Sequence, residues 1–445
     1  FDMTINQSND STLLKKSHRH SPPESTEEYD PTRTLIQLMR SCILHPKLET
    51  LRMPLGKRDI ITVFNSARIH GLTSCLYVML CTYDSFEPDV QIYIKNLQSH
   101  YRFNAVRILR FQHETNHILQ RFNRFNIPCL LLKGIYLSTF VYPDPAMRSM
   151  ADIDLLIHQD DLVSAVTELM KIGYRDITDT VHQLHTHFHQ TFYNESQDIY
   201  LELHWLLERP DRFETDMHRL WAEAQAIEFE GEPALCLSVE DLLLYLVIHN
   251  TITHSFHYGL RPLLDIALVM KKLQPDWKKL LELARQSNAT EILLLTTQTV
   301  CDLFQLPVPD QIAFNLQDTQ QTSSLRQAAL RMACKGPEFS PALLSFIHKL
   351  QNAPNTRKKI KLLFRIVSSK SMMSRQSSAE KETFRHRVKP GHRISRLLKT
   401  YWRFFMKFCV NRNYRTTCLA SANDYGLLNS RFHKHSNGSD TGSES

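Results

Sequence analysis

The sequence predicts an α+β protein, with a small mixed sheet set between predominantly α-helical N- and C-terminal segments. Three observations predict it. Apolar residues recur at three- and four-residue spacing over residues 33–125, and again from Ser238 to about residue 370. Between these stretches the period shortens, and apolar runs of strand length are bounded by glycine, proline and polar residues. The chain has 445 residues, 42% hydrophobic and 22% charged, which is ordinary globular composition and enough for two domains or one large one with appendages.

The elements follow in order. Residues 1–30 are polar, close on "SPPESTEEYDP", and read as a disordered arm. The N-terminal helical segment (31–126) holds "TRTLIQLMRSCIL", "RDIITVFNSARIHGLTSCLYVML" and the long amphipathic "RFNAVRILRFQHETNHILQRFNRFN", which Pro128 stops. A mixed-sheet core (127–235) begins with "IPCLLLKG" (127–134), a buried strand ending in glycine, and "IYLSTFVY" continues as a short helix ended by "PDP" at 143–145. "ADIDLLIH" (151–158) is a second strand, and "QDDLVSAVTELMKIGY" a helix with acids in its first turn and Gly173 past its end. "HTHFHQTFYN" and "IYLELHW" read as an antiparallel pair of strands. A C-terminal helical domain (236–370) opens on "SVEDLLLYLVIHN", where Ser238 and Asp241 form a variant capping box. A basic segment (371–428) contains "RISRLLKTYWRFFMKF" as an amphipathic helix, and 429–445 is a polar tail read as disordered.

Charge and cysteine usage narrow the class. The chain carries a net +7, yet residues 357–415 hold 18 Lys or Arg against two acids, so the rest of the chain is acidic. Nine cysteines are scattered, odd in number and without CxxC spacing, as in a reduced cytoplasmic protein with buried thiols. Apolar runs such as "LLLYLVIH" (242–249) are too short to span a bilayer, so no stable membrane insertion is expected. The first twenty residues have no apolar h-region, so no signal peptide is expected there.

The chemistry concentrates in "MRSMADIDLLIH" (147–158). Residues i and i+2 of a strand face the same side, so Asp152 and Asp154 point together with Cα atoms roughly 6.5–7 Å apart. With no fixed cation evident nearby they would repel, and a divalent ion resolves this. Hard carboxylate ligands suit Mg²⁺ or Mn²⁺. The competing reading is a strand start capped by solvated acids. Upstream, "LLKG" sets Lys133 beside Gly134, a turn where backbone N–H groups and an ammonium meet a phosphate. Downstream, "YLELHW" places Glu202 on another strand with His204 on the same face. A Gly turn, a DxD strand and a further acidic strand are what two-metal phosphoryl chemistry needs.

The series "LLKGIYLSTFVYPDPAMRSMADIDLLIHQDDLVSAVTELMKIGY", "LELHW" and "LVIHN…LRPLLDIALVMKK" resembles bacterial nucleotidyltransferase-family proteins, an uncharacterised branch of the polymerase-β-like superfamily. The resemblance spans roughly residues 33–305. It implies a nucleotidyltransferase core and metal-dependent transfer of NMP from an NTP to an unidentified acceptor, releasing pyrophosphate. It assigns the metal pair to Asp152 and Asp154 and a third, basic carboxylate to Glu202. It assigns triphosphate contacts to Lys133, Gly134 and Arg148. His204, on the Glu202 face of its strand, reads either as a group that orients the base or contacts the nucleotide, or as a packed strand residue beside Trp205. Gly134 is followed by Ile135 where the superfamily usually has Gly-Ser or Gly-Gly, which weakens the expected phosphate grip. The alternative from another class is a catalytically inactive module of the same fold that binds a biosynthetic partner or precursor. A third reading is an RNA-modifying nucleotidyltransferase.

Other features carry both a structural and a functional reading. His182, His185, His187 and His189 cluster; the last three alternate, which suits a cleft lining better than a dedicated zinc site, and His189 would reach a phosphate. Arg261 and Asp265 stand at i,i+4 and would pair on one helix, with His249 and Asp265 as structural or supporting groups. The basic segment 357–415 interleaves cations with Tyr401, Trp402, Phe404, Phe405 and Phe408. That pattern fits docking on its own domain, an anionic partner such as RNA, or a membrane surface.

Overall fold

The computed structural model describes residues 30–44, 57–81, 88–178, 188–209, 213, 215–316, 319–337, 341–352 and 411–432. Four helices come first: α1 (Pro31–Leu44), α2 (Lys57–Ile69), α3 (Thr73–Leu80) and α4 (Pro88–Arg124). The long α4 starts on a proline, whose missing N–H is no loss in a first turn. It ends before Asn126, which takes a left-handed φ of 53° ahead of Pro128.

A seven-stranded mixed sheet follows: β1 (Leu130–Leu131), β2 (Asp152–Leu156), β3 (Tyr174–Asp176), β4 (His189–Asn194), β5 (Ile199–His204), β6 (Gln225–Phe229) and β7 (Glu232–Cys236). Its order is β3-β4-β5-β2-β1-β7-β6. β2 runs parallel to β5 and antiparallel to β1, and β1 is parallel to β7. The alternation in β2, β4 and β5 is what the pleat requires. Ile153, Leu155, Phe192, Ile199, Leu201 and Leu203 fill one face and are buried. Each such side chain contributes about 1.5–3 kcal/mol on burial. The other face carries Asp152, Asp154, Glu202 and His204.

Two turns set this register. Between β4 and β5, the buried Asn194 carboxamide oxygen accepts from Ser196 N–H (3.2 Å), Ser196 Oγ (2.8 Å) and Gln197 N–H (3.3 Å). Asp198 then turns left-handed at φ 51° and accepts from the Tyr193 hydroxyl at 2.9 Å. Between β6 and β7, Phe229 pairs with Glu232 across Glu230 and Gly231, both at positive φ. That is a two-residue primed turn, whose twist matches the strands it joins. This hairpin is absent from the sequence reading.

Strand β1 corrects an expectation. The run 127–134 reads as a whole buried strand, yet only Leu130 and Leu131 pair. Leu132 still donates its N–H to the Asp154 carbonyl at 3.1 Å. Lys133 then turns left-handed at φ 35°, and the chain enters the short helix α5 (Lys133–Tyr136), which loosens into a π-helical turn at Leu137–Val141. An apolar run records burial, and helix and strand bury alike.

α6 (Leu162–Lys171) and α7 (Met217–Ala222) accompany the sheet. α8 (Val239–Ile248) is capped as expected, its Ser238 hydroxyl accepting from Asp241 N–H at 3.2 Å. A second π-helical segment, His249–Thr253, continues it. The helices α9 (Arg261–Leu273), α10 (Trp277–Gln286), α11 (Thr290–Phe304), α12 (Asp310–Asn315), α13 (Gln320–Lys335) and α14 (Pro341–Gln351) complete the helical part up to Gln351. A last helix, Arg412–Phe432, is fastened to α13 by a bidentate Arg331–Asp424 pair at 3.0 and 2.8 Å. It reaches into the stretch read as tail. The "RISRLLKTYWRFFMKF" helix and most of the basic segment lie outside the described residues.

Among the described residues no helix is long and apolar enough to cross a membrane. Seven of the described cysteines are free, five of them buried.

Candidate active site

The register between β2 and β5 builds the site. Asp154 stands opposite Glu202 and Asp152 opposite Tyr200 on neighbouring parallel strands. Paired residues point to the same side of a sheet, so all three predicted carboxylates meet on one face. Asp154 is buried, while the Glu202 side chain keeps 27% of its surface open.

The charges there are unequal. Burial and the facing charges of Asp154 and Glu202 push the Asp152 carboxyl up to about 7. Asp154 goes the other way: burial opposes its ionisation, but the Lys133 ammonium and His204 overcome this and hold it well below the usual carboxylate range. Lys133 donates from Nζ to Asp154 Oδ1 at 2.9 Å, with the Tyr245 ring 5.7 Å away. Burial would lower the Lys133 pKa, but Asp154, Tyr245 and Glu202 raise it well above the ordinary lysine value. The aspartates therefore do have a fixed cation beside them, contrary to the sequence expectation.

His204 is 1% exposed, and its Nε2 lies 3.2 Å from Asp154 Oδ1 and 3.5 Å from Glu202 Oε2. Burial disfavours its charged form, yet those two carboxylates raise its pKa on balance. His189 is its cross-strand partner on β4, with ring centroids 4.9 Å apart. Burial and the neighbouring His204 lower the His189 pKa to about 4. His182, His185 and His187 lie outside the described residues.

Two residues expected on the triphosphate are engaged elsewhere. Arg148 is buried and grips Asp265 with both arms of its fork, Nε to Oδ1 at 3.1 Å and Nη2 to Oδ2 at 2.9 Å. The Tyr142 hydroxyl adds a third bond to Asp265 at 2.7 Å. This clamp ties the approach to β2 onto α9, and it replaces the expected Arg261–Asp265 pair. Arg261 instead donates from Nη1 to the Ser149 carbonyl at 2.9 Å. Gly134 serves the clamp too. A Cβ there would stand 2.9 Å from both Arg148 Nη1 and Met150 Sδ, so the close backbone approach is to protein, not to an open phosphate cradle.

Sequence reasoning missed Tyr245 and gave His249 only a general supporting role. The signal was present: Tyr245 and His249 stand four residues apart in the otherwise apolar run 242–249, which puts both on one face. His249 is partly exposed, with its Nε2 2.9 Å from His254 Nε2. Its pKa falls well below the ordinary value through burial and then the charge of Lys133.

Fold and site together define a nucleotidyltransferase-like α+β protein: a mixed sheet presenting three carboxylates on one face of adjacent strands, flanked by helices. The chain belongs to the uncharacterised nucleotidyltransferase family, whose model matches residues 56–305. Among solved structures, an antigenic nucleotidyltransferase-like protein from Paracoccidioides brasiliensis is 13% identical, covering 46% of this chain and 96% of that one. The TM-score of that match is 0.30. No curated protein matches the chain.

Proposed function

We propose that the protein transfers a nucleotidyl group from an NTP to an acceptor and releases pyrophosphate, using Mg²⁺ or Mn²⁺. The observation that carries this reading is the convergence of Asp152, Asp154 and Glu202 on one face of β2 and β5. The donor set fits a hard cation. Burial first, and then the charges of Asp154 and Glu202, push Asp152 up to about 7, and among the described residues Asp154 Oδ2 accepts no hydrogen bond. Asp152, Asp154 and Glu202 would hold the ions, which supply charge neutralisation for the triphosphate and the departing pyrophosphate.

The chain's own groups divide the remaining work. Glu202, half-open at the mouth of the site, takes the proton from the acceptor hydroxyl at its carboxylate. His204 orients that carboxylate through the 3.5 Å contact to Oε2. Lys133 keeps Asp154 ionised, with the Tyr245 ring 5.7 Å from its ammonium. Arg148 is not proposed as a phosphate contact, because Asp265 occupies its fork. Arg261, close enough to Asp152 for their charges to interact, is the better candidate.

One observation favours the binding module as a second reading. Lys133 and His204 already compensate Asp154, as they would in a site that no longer turns over. The RNA-modifying reading rests on the basic segment, which lies almost wholly outside the described residues.

Incubation with each α-labelled NTP, Mg²⁺ or Mn²⁺ and candidate acceptors separates these readings. Label transfer that disappears in Asp152→Ala and Asp154→Ala supports the enzyme. Nucleotide binding without turnover supports the module. Activity unchanged in both variants overturns the mechanism.

A further inference from the structure

We propose that His189, Glu202 and His204 form a binding site for one divalent transition-metal ion of the zinc class, at the end of the β4–β5 ladder beside the aspartate pair. The inference goes beyond nucleotidyl transfer and does not depend on it.

The ladder places the three together. His189 pairs with His204, and Thr191 with Glu202, so residues 189, 202 and 204 share one face of two adjacent strands. One ligand atom from each lies within 4.8 Å of the other two. Ligands at zinc bond lengths of about 2.0–2.1 Å stand roughly 3.4 Å apart around a tetrahedral ion. Rotation of the three side chains would have to close the difference, and the partly exposed Glu202 leaves an opening for an ion.

An independent observation points to a ligand. The Nδ1 atoms of both His189 and His204 are buried and have no hydrogen-bond partner among the described residues. Buried imidazole nitrogens are ordinarily satisfied, and these two belong to rings whose centroids are 4.9 Å apart. Next to them, His204 Nε2 lies 3.2 Å from Asp154 Oδ1. A carboxylate behind an imidazole is the arrangement that fixes the orientation of metal-bound histidines.

The donor chemistry selects the ion. Two imidazoles and one carboxylate suit Zn²⁺ and leave a fourth position open for water, whereas Mg²⁺ takes oxygen ligands. Lys133, the cation that would repel an ion here, is paired with Asp154. Glu202 belongs to both donor sets, so the test varies only residues unique to each.

The full chain, free of any histidine tag, is loaded with Zn²⁺ or with Co²⁺, dialysed, and assayed by elemental analysis and by the visible absorption of Co²⁺. One retained ion per chain is expected, with affinity at least ~10-fold weaker in His189→Ala. Asp152→Ala is expected to keep the ion and its Co²⁺ spectrum. His204→Ala should match His189→Ala if circular dichroism shows it folded; if it does not fold, the partly exposed His189 decides alone. No retained ion in the wild type, unchanged affinity in His189→Ala, or loss in Asp152→Ala equal to that in His189→Ala would each overturn the proposal. None of these outcomes bears on label transfer from NTP, so the two readings fail separately.

Discussion

Two buried ion pairs stand near each other in this molecule, and they are built to opposite specifications. In Arg148–Asp265 both carboxylate oxygens are used: two parallel bonds from the guanidinium and a third from Tyr142. In Lys133–Asp154 a single contact at 2.9 Å joins the charges, and His204 leans on the same oxygen. The second aspartate oxygen accepts nothing among the described residues, and two imidazole nitrogens nearby are unpartnered. A saturated pair fixes geometry and has nothing left to offer a ligand. An unsaturated pair in the same low-dielectric surroundings keeps unspent electrostatic capacity, which is what a site needs.

The comparison breaks most sharply at the aspartates. Asp154→Ala is expected to lower nucleotidyl transfer by about 10³-fold or more, on the scale of losing a major electrostatic group. Label incorporation from α-labelled NTP measures it, and activity above a tenth of wild type would contradict it. Arg148→Ala should act on stability instead, leaving Asp265 charged and buried at a cost of about 3–5 kcal/mol. Urea titration reads that loss. The double change Arg148→Met with Asp265→Leu sharpens the contrast: replacing both charges by apolar groups is expected to recover most of the stability.

Gly134→Ala is smaller, about 1–3 kcal/mol from forcing Arg148 and Met150 aside. If it changed transfer without lowering the urea midpoint, Gly134 would belong to the site and not to the clamp.

The smallest expected effect lies outside both pairs. His70 and His257 are buried, and burial lowers each pKa to about 4; for His70 a hydrogen bond with the Cys334 backbone offsets part of this. An unfolded histidine titrates near pH 6.5, so on acidification the unfolded chain takes up protons that the folded chain refuses. Their stability contribution is therefore complete above about pH 6.5 and is lost as pH falls towards 4, at roughly 1 kcal/mol per pH unit for each imidazole. His70→Asn should flatten the slope of urea midpoint against pH in that interval; an unchanged slope would refute the assignment.

How much of this was legible follows from range. The carboxylates of β2 and β5 could be read because period-two alternation and an i,i+2 pair are local facts. The capping of α8 by Ser238 is local as well. The Arg148 clamp was not legible, since its partners are 117 residues apart. The local alternative, Arg261 with Asp265 one helical turn away, looked sufficient. Burial decided between them: a guanidinium enclosed against α9 needs its carboxylate more than one at the helix start that also reaches a backbone carbonyl. The hairpin of β6 and β7 escaped notice because its turn, Glu230–Gly231, lacks the usual Asn or Asp before glycine. Strand β1 was overread because "CLLL" says only that the chain is inside.

The turn held by Asn194 has a consequence of its own. Glu202 and His204 share the aspartates' side of the sheet only because a fixed number of residues separates β4 from β5. One residue more or fewer would present Leu201 and Leu203 to the cleft and drive the acid into the core. The turn is thus a spacing gauge: Ser196, Gln197 and Asp198 contribute nothing to the carboxylate face, yet they help decide which face of β5 lies beside the aspartates. A length change there would act on the whole face of the strand at once, where a substitution in the cleft acts on one side chain.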